Sequence, residues 1–347
     1  MFPGTFTRSQ PLRTADGEVS RLTWVDYARG IGILLVVFGH VWRGLKRAGM
    51  AVPCYGFVDS FVYSFHMPLF FVLSGMFAEP WAQKPARAAL VGRARTILYP
   101  YVVWSLLDAA VATIAGSYTN RDVSVFRVAL TLAYEPYAHF WFLYVLAMCL
   151  IAFLVLYKIG LNTRAIALVA LLFWATAGFV PLGPWGMAHV FRGHFIHFAA
   201  GALLSGTLRN AIPKTPLSSL AALCGAQFAL LAILTGADGL PGRVGSLLSA
   251  GLGTGGVLCA AGILDRLGAG GFVRFLGMMS LQIYVAHVIA ASGTRILLRS
   301  ALHVESVLVH VIAGTVAGAV FPLALDYVAR KAGFTCLFTL GTSRKTA

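Results

Sequence analysis

Charge is what this chain has least of. Only 11% of its 347 residues are Asp, Glu, Lys or Arg, less than half the roughly 25% of a soluble globular domain. Acidic residues are scarcest, 12 against 27 Lys and Arg. That shortage excludes an ordinary soluble enzyme and leaves few carboxylates for metal binding or paired acid–base chemistry. The five cysteines, Cys54, Cys149, Cys224, Cys259 and Cys336, are scattered with no CxxC pair, which excludes a disulfide framework and a cysteine-rich zinc site. Residues 1–21 are polar and lack a signal-peptide cleavage pattern, so the first apolar run is expected to be an uncleaved anchor. No repeat of fixed period is visible. What fills the chain instead is apolar: 59% hydrophobic residues and a mean hydropathy of +0.80. Runs of that length point to membrane-spanning helices rather than a barrel.

A span takes about 20 residues. Ten fit the pattern, at about 22–42, 55–78, 96–116, 138–157, 165–182, 190–208, 216–236, 244–264, 275–297 and 304–328. The fold class expected is therefore all-α and polytopic, with an N-terminal tail over 1–21, a transmembrane domain over 22–328 and a C-terminal tail over 329–347. No room remains for a separate soluble domain. With the N-terminus placed in the cytoplasm, 17 of the 27 Lys and Arg fall in inside segments and 9 in outside segments, with Arg29 in the membrane. Such a bias is the ordinary signature of cytoplasmic loops, so both tails are expected to be cytoplasmic. It also accounts for the net charge of +15 without any nucleic-acid partner. The first outside loop, with Arg43, Lys46 and Arg47, is unusually basic for its side. Residues 117–137 form the longest connection, and Val123–Leu132 reads as a short interfacial helix able to act as a lid.

Polar residues inside such spans are costly and are normally paired or functional. Arg29 and His40 are eleven residues apart in the first span, close to three full turns, so they share a helix face about 16 Å apart along the axis. Asp26 lies near that face. A neutral histidine can take a proton from an attacking hydroxyl, and an arginine can hold an anionic or carbonyl group. The blander reading is an interfacial histidine and an Asp26–Arg29 pair. In the second span Pro68 should kink or break the helix, leaving either a polar pocket between His66 and Ser74-Gly75 or a plain kink with His66 bonded to backbone. Arg93 and Arg95, after Lys84 and Arg87, gather at the expected cytoplasmic mouth. They can bind phosphates or merely mark topology. His139-Phe140-Trp141 at the outer end of a span matches an aromatic belt. Ser280, Tyr284 and His287 form a polar stripe on an apolar helix, for which helix–helix hydrogen bonding is the simpler explanation. His194 and His197 are one turn apart with no carboxylate or cysteine near in sequence, so no metal is expected. Asp108 is a functional charge or an arginine's partner, and Asp326 should pair with Arg330 at i,i+4.

These stretches, in this order, resemble the acyltransferase 3 family, in particular the branch related to sugar O-acetylases. The resemblance rests on Asp26…Arg29…His40, FHMPLFFVLSG from Phe65, RARTILYPYVVW from Arg93, WFL from Trp141, FAAG from Phe198 and LGMMSLQIYVAH from Leu276. One departure is Met76, which separates Ser74-Gly75 from the aromatic Phe77. The resemblance implies about ten spans and an O-acyltransferase of a multi-pass cell membrane, expected to be a bacterial inner membrane. It would move an acyl group, usually acetyl from acetyl-CoA, to a hydroxyl of a cell-envelope glycan, an exopolysaccharide or a lipid-linked sugar. On that basis His40, Arg29 and Asp26 are the catalytic candidates, with His40 as a base or as a transient acyl-imidazole. Arg93, Arg95 and Ser74 are candidates for the acyl-CoA side, and His66, Trp141, Tyr284 and His287 for the acceptor side. The competing reading is a transporter in which Arg29 and His40 line a solute or proton path.

Overall fold

The computed structural model describes residues 22–50, 52–116, 124–236 and 242–340. The 1–21 tail, the last seven residues of the C-terminal tail, and Val123 of the expected lid helix lie outside the described residues. Among the described residues the chain forms fifteen α-helices and no strand. They are α1 (Thr23–Arg47), α2 (Tyr55–Tyr63), α3 (His66–Gly75), α4 (Ala78–Ala82), α5 (Ala86–Arg93), α6 (Tyr99–Ala115), α7 (Val125–Thr131), α8 (Trp141–Lys158), α9 (Thr163–Ala175), α10 (Gly186–Lys214), α11 (Leu217–Gly236), α12 (Gly242–Leu267), α13 (Gly271–Met278), α14 (Ser280–Ile296) and α15 (Val307–Lys331). Eight helical stretches are long and apolar enough to cross a membrane, so the protein is an all-α, polytopic membrane protein. The two other expected spans are also helical. One is short, Thr163–Gly178. The other, α10, carries His189, Arg192, His194, His197 and Arg209 among its 29 residues, which lowers its hydropathy.

The second expected span is broken between Tyr63 and His66, just before Pro68. A proline is tolerated in a helix's first turn, where its missing N–H loses nothing, so it sits inside the start of α3 rather than kinking it. The third expected span begins earlier, because α5 runs into α6 through a π turn over Ala94–Leu98. Arg192, counted with the loops in the charge bias, is instead 2% exposed on α10, where one guanidinium nitrogen donates to the Val180 carbonyl at 2.8 Å. Asp326 and Arg330 pair at 2.8 Å as expected. Beyond α15 the chain docks on α6. The Trp104 indole donates to the Leu337 carbonyl at 3.0 Å, and its ring stacks on Phe338, 2% exposed.

Two close crossings hold α1 and α3. A Cβ on Gly277 would stand 1.8 Å from the Asp26 carbonyl oxygen, and one on Gly30 would stand 1.9 Å from that of Val273. Helices α1 and α13 thus touch backbone to backbone. Likewise a Cβ on Gly75 would meet the Phe198 carbonyl oxygen at 1.9 Å, and one on Gly201 that of Val72 at 2.1 Å, which locks α3 to α10. Packing of this kind replaces the hydrophobic drive that lipid does not supply.

Candidate active site

Helix α1 is the axis of the site. Its first turns hold Asp26, 3% exposed, and the half-buried Arg29. Its second half holds the half-buried His40. Three turns of helix keep Arg29 and His40 about 16 Å apart, and each has its own surroundings.

Around Arg29 the neighbours are cations and aromatic rings. The Arg29 guanidinium lies 5.7 Å from the Phe77 ring centroid, and that of Arg209, from α10, lies 5.0 Å from the same ring. Arg93 sits 5.6 Å from the Trp81 ring centroid and close enough to Arg29 for their charges to repel. Arg209 is anchored across the crossing of α10 and α3, donating to the Met76 carbonyl at 3.0 Å, as Ser205 does at 2.8 Å. The Nε atoms of Arg93 and Arg209 are buried donors with no hydrogen-bond partner. An orphaned charged donor costs more than an ordinary lost hydrogen bond, so this end is suited to an anionic ligand.

Around His40 the neighbours are imidazoles. The His287 ring centroid is 4.9 Å away and that of His139 is 5.6 Å away; His139 and His287 are 5.1 Å apart. The His287 Nδ1 lies 2.7 Å from the Tyr284 carbonyl oxygen and 3.1 Å from that of Ile283. A carbonyl only accepts, so Nδ1 carries the proton and Nε2 a lone pair. That Nε2 is buried without a partner. The Tyr284 hydroxyl donates to the His139 carbonyl. The preceding Ala138 has φ 53°, a left-handed conformation that costs an L-residue about 1–2 kcal/mol and turns His139 toward the α1 face. His40, His139, Asp108, Tyr137 and His310 line a cavity of about 280 Å³ together with Arg47 and Arg295.

A family model described as an acyltransferase domain matches residues 22–327. The chain belongs to the acyltransferase 3 family. Two curated relatives are similar to it, each a nodulation protein NolL. That of Mesorhizobium japonicum is 29% identical over 120 residues, covering 34% of this chain and 31% of the relative. That of Sinorhizobium fredii is 32% identical over 137 residues, covering 37% and 34%. The chain thus matches about a third of the length of these relatives. No solved structure matches it.

Within this family member the candidate residues sort unevenly. Arg29 and Arg93 are brought together, whereas Arg95 is exposed on the π turn, where its carbonyl accepts from Leu340 N–H at 3.3 Å. Ser74 lies near the same end, at the close of α3. His66 is 2% exposed, with Nδ1 2.8 Å from the Val62 carbonyl oxygen and its ring against Tyr63. Trp141 stacks on His194 at 5.3 Å and lines a second, larger cavity of about 1110 Å³ with Tyr63, His194 and His197. Tyr284 and His287 are buried against His139 and His40 and do not line the cavity at His40. The interfacial-belt reading of His139 misses its place beside His40. Its one signal in the sequence is a histidine two residues before an apolar run, too common to weigh. Arg209 has the sequence position of a loop cation. Only the tertiary fold of α10 over Phe77 reveals it.

Proposed function

We propose that this protein is an O-acyltransferase that moves a short acyl group, usually acetyl, from acyl-CoA to a hydroxyl of a glycan or lipid-linked sugar in the cell envelope, working in a bacterial inner membrane. The observation that carries this reading is the division of α1 into an arginine-lined end and a histidine-lined end, with His40 on a cavity wall. The buried Nε donors of Arg93 and Arg209 and the guanidinium of Arg29 suit the phosphates and carbonyls of the donor. His40 suits the transfer itself. A neutral His40, set among the imidazoles of His139 and His287, keeps one ring nitrogen unprotonated as a base. That nitrogen takes the proton of the acceptor hydroxyl as its oxygen attacks the thioester carbonyl. The carbon–sulfur bond breaks, and the imidazolium returns the proton to the departing CoA thiolate. An ester and a free thiol result. His139, held by Tyr284 through its carbonyl, completes the wall on which the hydroxyl is positioned.

Replacing His40 with Ala in purified membranes tests the scheme. Acyl transfer from radiolabelled acetyl-CoA to the envelope glycan fraction should fall by about 10²–10⁴, the usual worth of a general base, with unchanged protein level. Full transfer by this variant would refute the role of His40. Uptake of an unmodified solute that is independent of acyl-CoA would favour the transporter.

A further inference from the structure

The cavity at His40 opens past cations that the transfer chemistry does not use. Arg47 and Arg295 both line it, and Arg295 lies close enough to Arg47 and Arg299 for their charges to repel. The Arg295 Nε stands 3.9 Å from where a Cβ on Gly44 would lie. Gly44 is one turn beyond His40, about 6 Å along the axis, and Arg47 is about 10 Å beyond it. Four arginines gather at this end, but they are not alike. Arg43 is neutralised by Asp59 through two bonds of 2.7 and 2.8 Å. Arg299 donates to the Ala48 carbonyl, closing the end of α1. Arg47 and Arg295 have no ion pair among the described residues. One carboxylate, Asp108, stands on the cavity wall against the two arginines, so the formal charge of the lining is net positive. This surplus sits where the positive-inside pattern calls for few cations.

We propose that the acceptor carries an anionic group, a phosphate or a carboxylate, one or two sugar units from the hydroxyl that is acylated, and that Arg47 and Arg295 bind it with Arg299 beside them. This rests on the acyl-transfer reading only for the word acceptor; the anion site stands or falls by itself. Spaced about 6–10 Å beyond His40 along α1, the arginines are placed to recognise a charge near the reacting sugar, not the hydroxyl.

The test is calorimetric binding to the full chain in nanodiscs of neutral phosphatidylcholine, with the arginine end at Arg29 saturated by free CoA. The probes are inorganic pyrophosphate, standing for a lipid diphosphate, trigalacturonate, standing for a uronic-acid polymer, and maltotriose as the neutral control. At least one anion should bind more tightly than maltotriose, and which one binds identifies the source. The Arg47→Gln/Arg295→Gln double variant should weaken that binding tenfold or more, and Arg47→Lys/Arg295→Lys should keep it within about threefold, which separates lost charge from lost fold. Binding equal for maltotriose and both anions, no anion binding at all, or anion binding that survives the double Gln variant would overturn the proposal. His40→Ala should keep the anion bound, and anion binding by a parent protein that transfers no acyl group would disprove the transfer and not the site.

Discussion

The two ends of α1 solve opposite problems with the same helix. At the Arg29 end, guanidinium groups from three elements crowd round Phe77 and Trp81. Like charges gathered in a membrane are stable only if rings, carbonyls or an anionic ligand answer them. At the His40 end the polar groups are imidazoles, with His287 held as the Nδ1–H tautomer by backbone carbonyls. A binding end needs permanent charge, whereas a proton-transfer end needs groups that are neutral until the reaction. About 16 Å of helix keeps the permanent charge of the first from disfavouring a protonated imidazole in the second.

The largest effect should come from breaking the frame that holds both ends in register. Gly277→Val puts side-chain carbon within van der Waals exclusion of the Asp26 carbonyl oxygen, where even a Cβ would stand at 1.8 Å. Overpacking of this kind costs about 1–3 kcal/mol or more. We expect a clear fall in the detergent melting temperature and loss of acyl transfer; a variant as stable as the parent would mean that α1 and α13 are not packed this way. Next comes the His40 end alone. His287→Ala removes the imidazole packed edge-on against His40, and should lower kcat about 10–100-fold while leaving KM for acyl-CoA unchanged. The Arg29 end should give the mirror image. Arg209→Gln removes one charged contact worth about 1.5–3 kcal/mol, so KM for acyl-CoA should rise about tenfold or more with kcat little changed. If both variants shifted the same parameter, the division of labour along α1 would be wrong.

Much of this is legible in the chain itself. The Arg29…His40 spacing alone separates the two residues by depth and puts them on one face. The short motifs turn out to be contact points: Ser74-Gly75 meets Phe198–Gly201, and the segment from Asp26 to Gly30 meets Leu276-Gly277. A glycine in an apolar run says that something comes close, but not what, so the pairing of these motifs stays hidden in one dimension. The same limit hides Arg209 and Arg295. A cation at a span end reads as topology, and only tertiary folding shows that one overlies Phe77 and the other lies against Gly44. Arg95 errs in the opposite direction. Two residues from Arg93, it looks equivalent, but two steps along a helix turn a side chain through about 200°, which leaves one inside and the other outside.

The smallest effect sharpens the comparison most, because it touches neither reactant. Tyr284 places its hydroxyl on the carbonyl of His139 and lies behind the cavity wall. Tyr284→Phe keeps the ring, its edge contacts with Phe142 and His139, and the volume of the core. It removes one buried hydrogen bond, worth about 0.5–1.5 kcal/mol. Ala138, held at positive φ, then has less to hold it there, and His139 can turn from the α1 face. A few-fold fall in kcat with unchanged KM for acyl-CoA is the expected result, measured in the assay used for His287→Ala. A change in KM for acyl-CoA instead would mean that the two ends communicate through α14. The histidine end would then be part of the donor site rather than its counterpart.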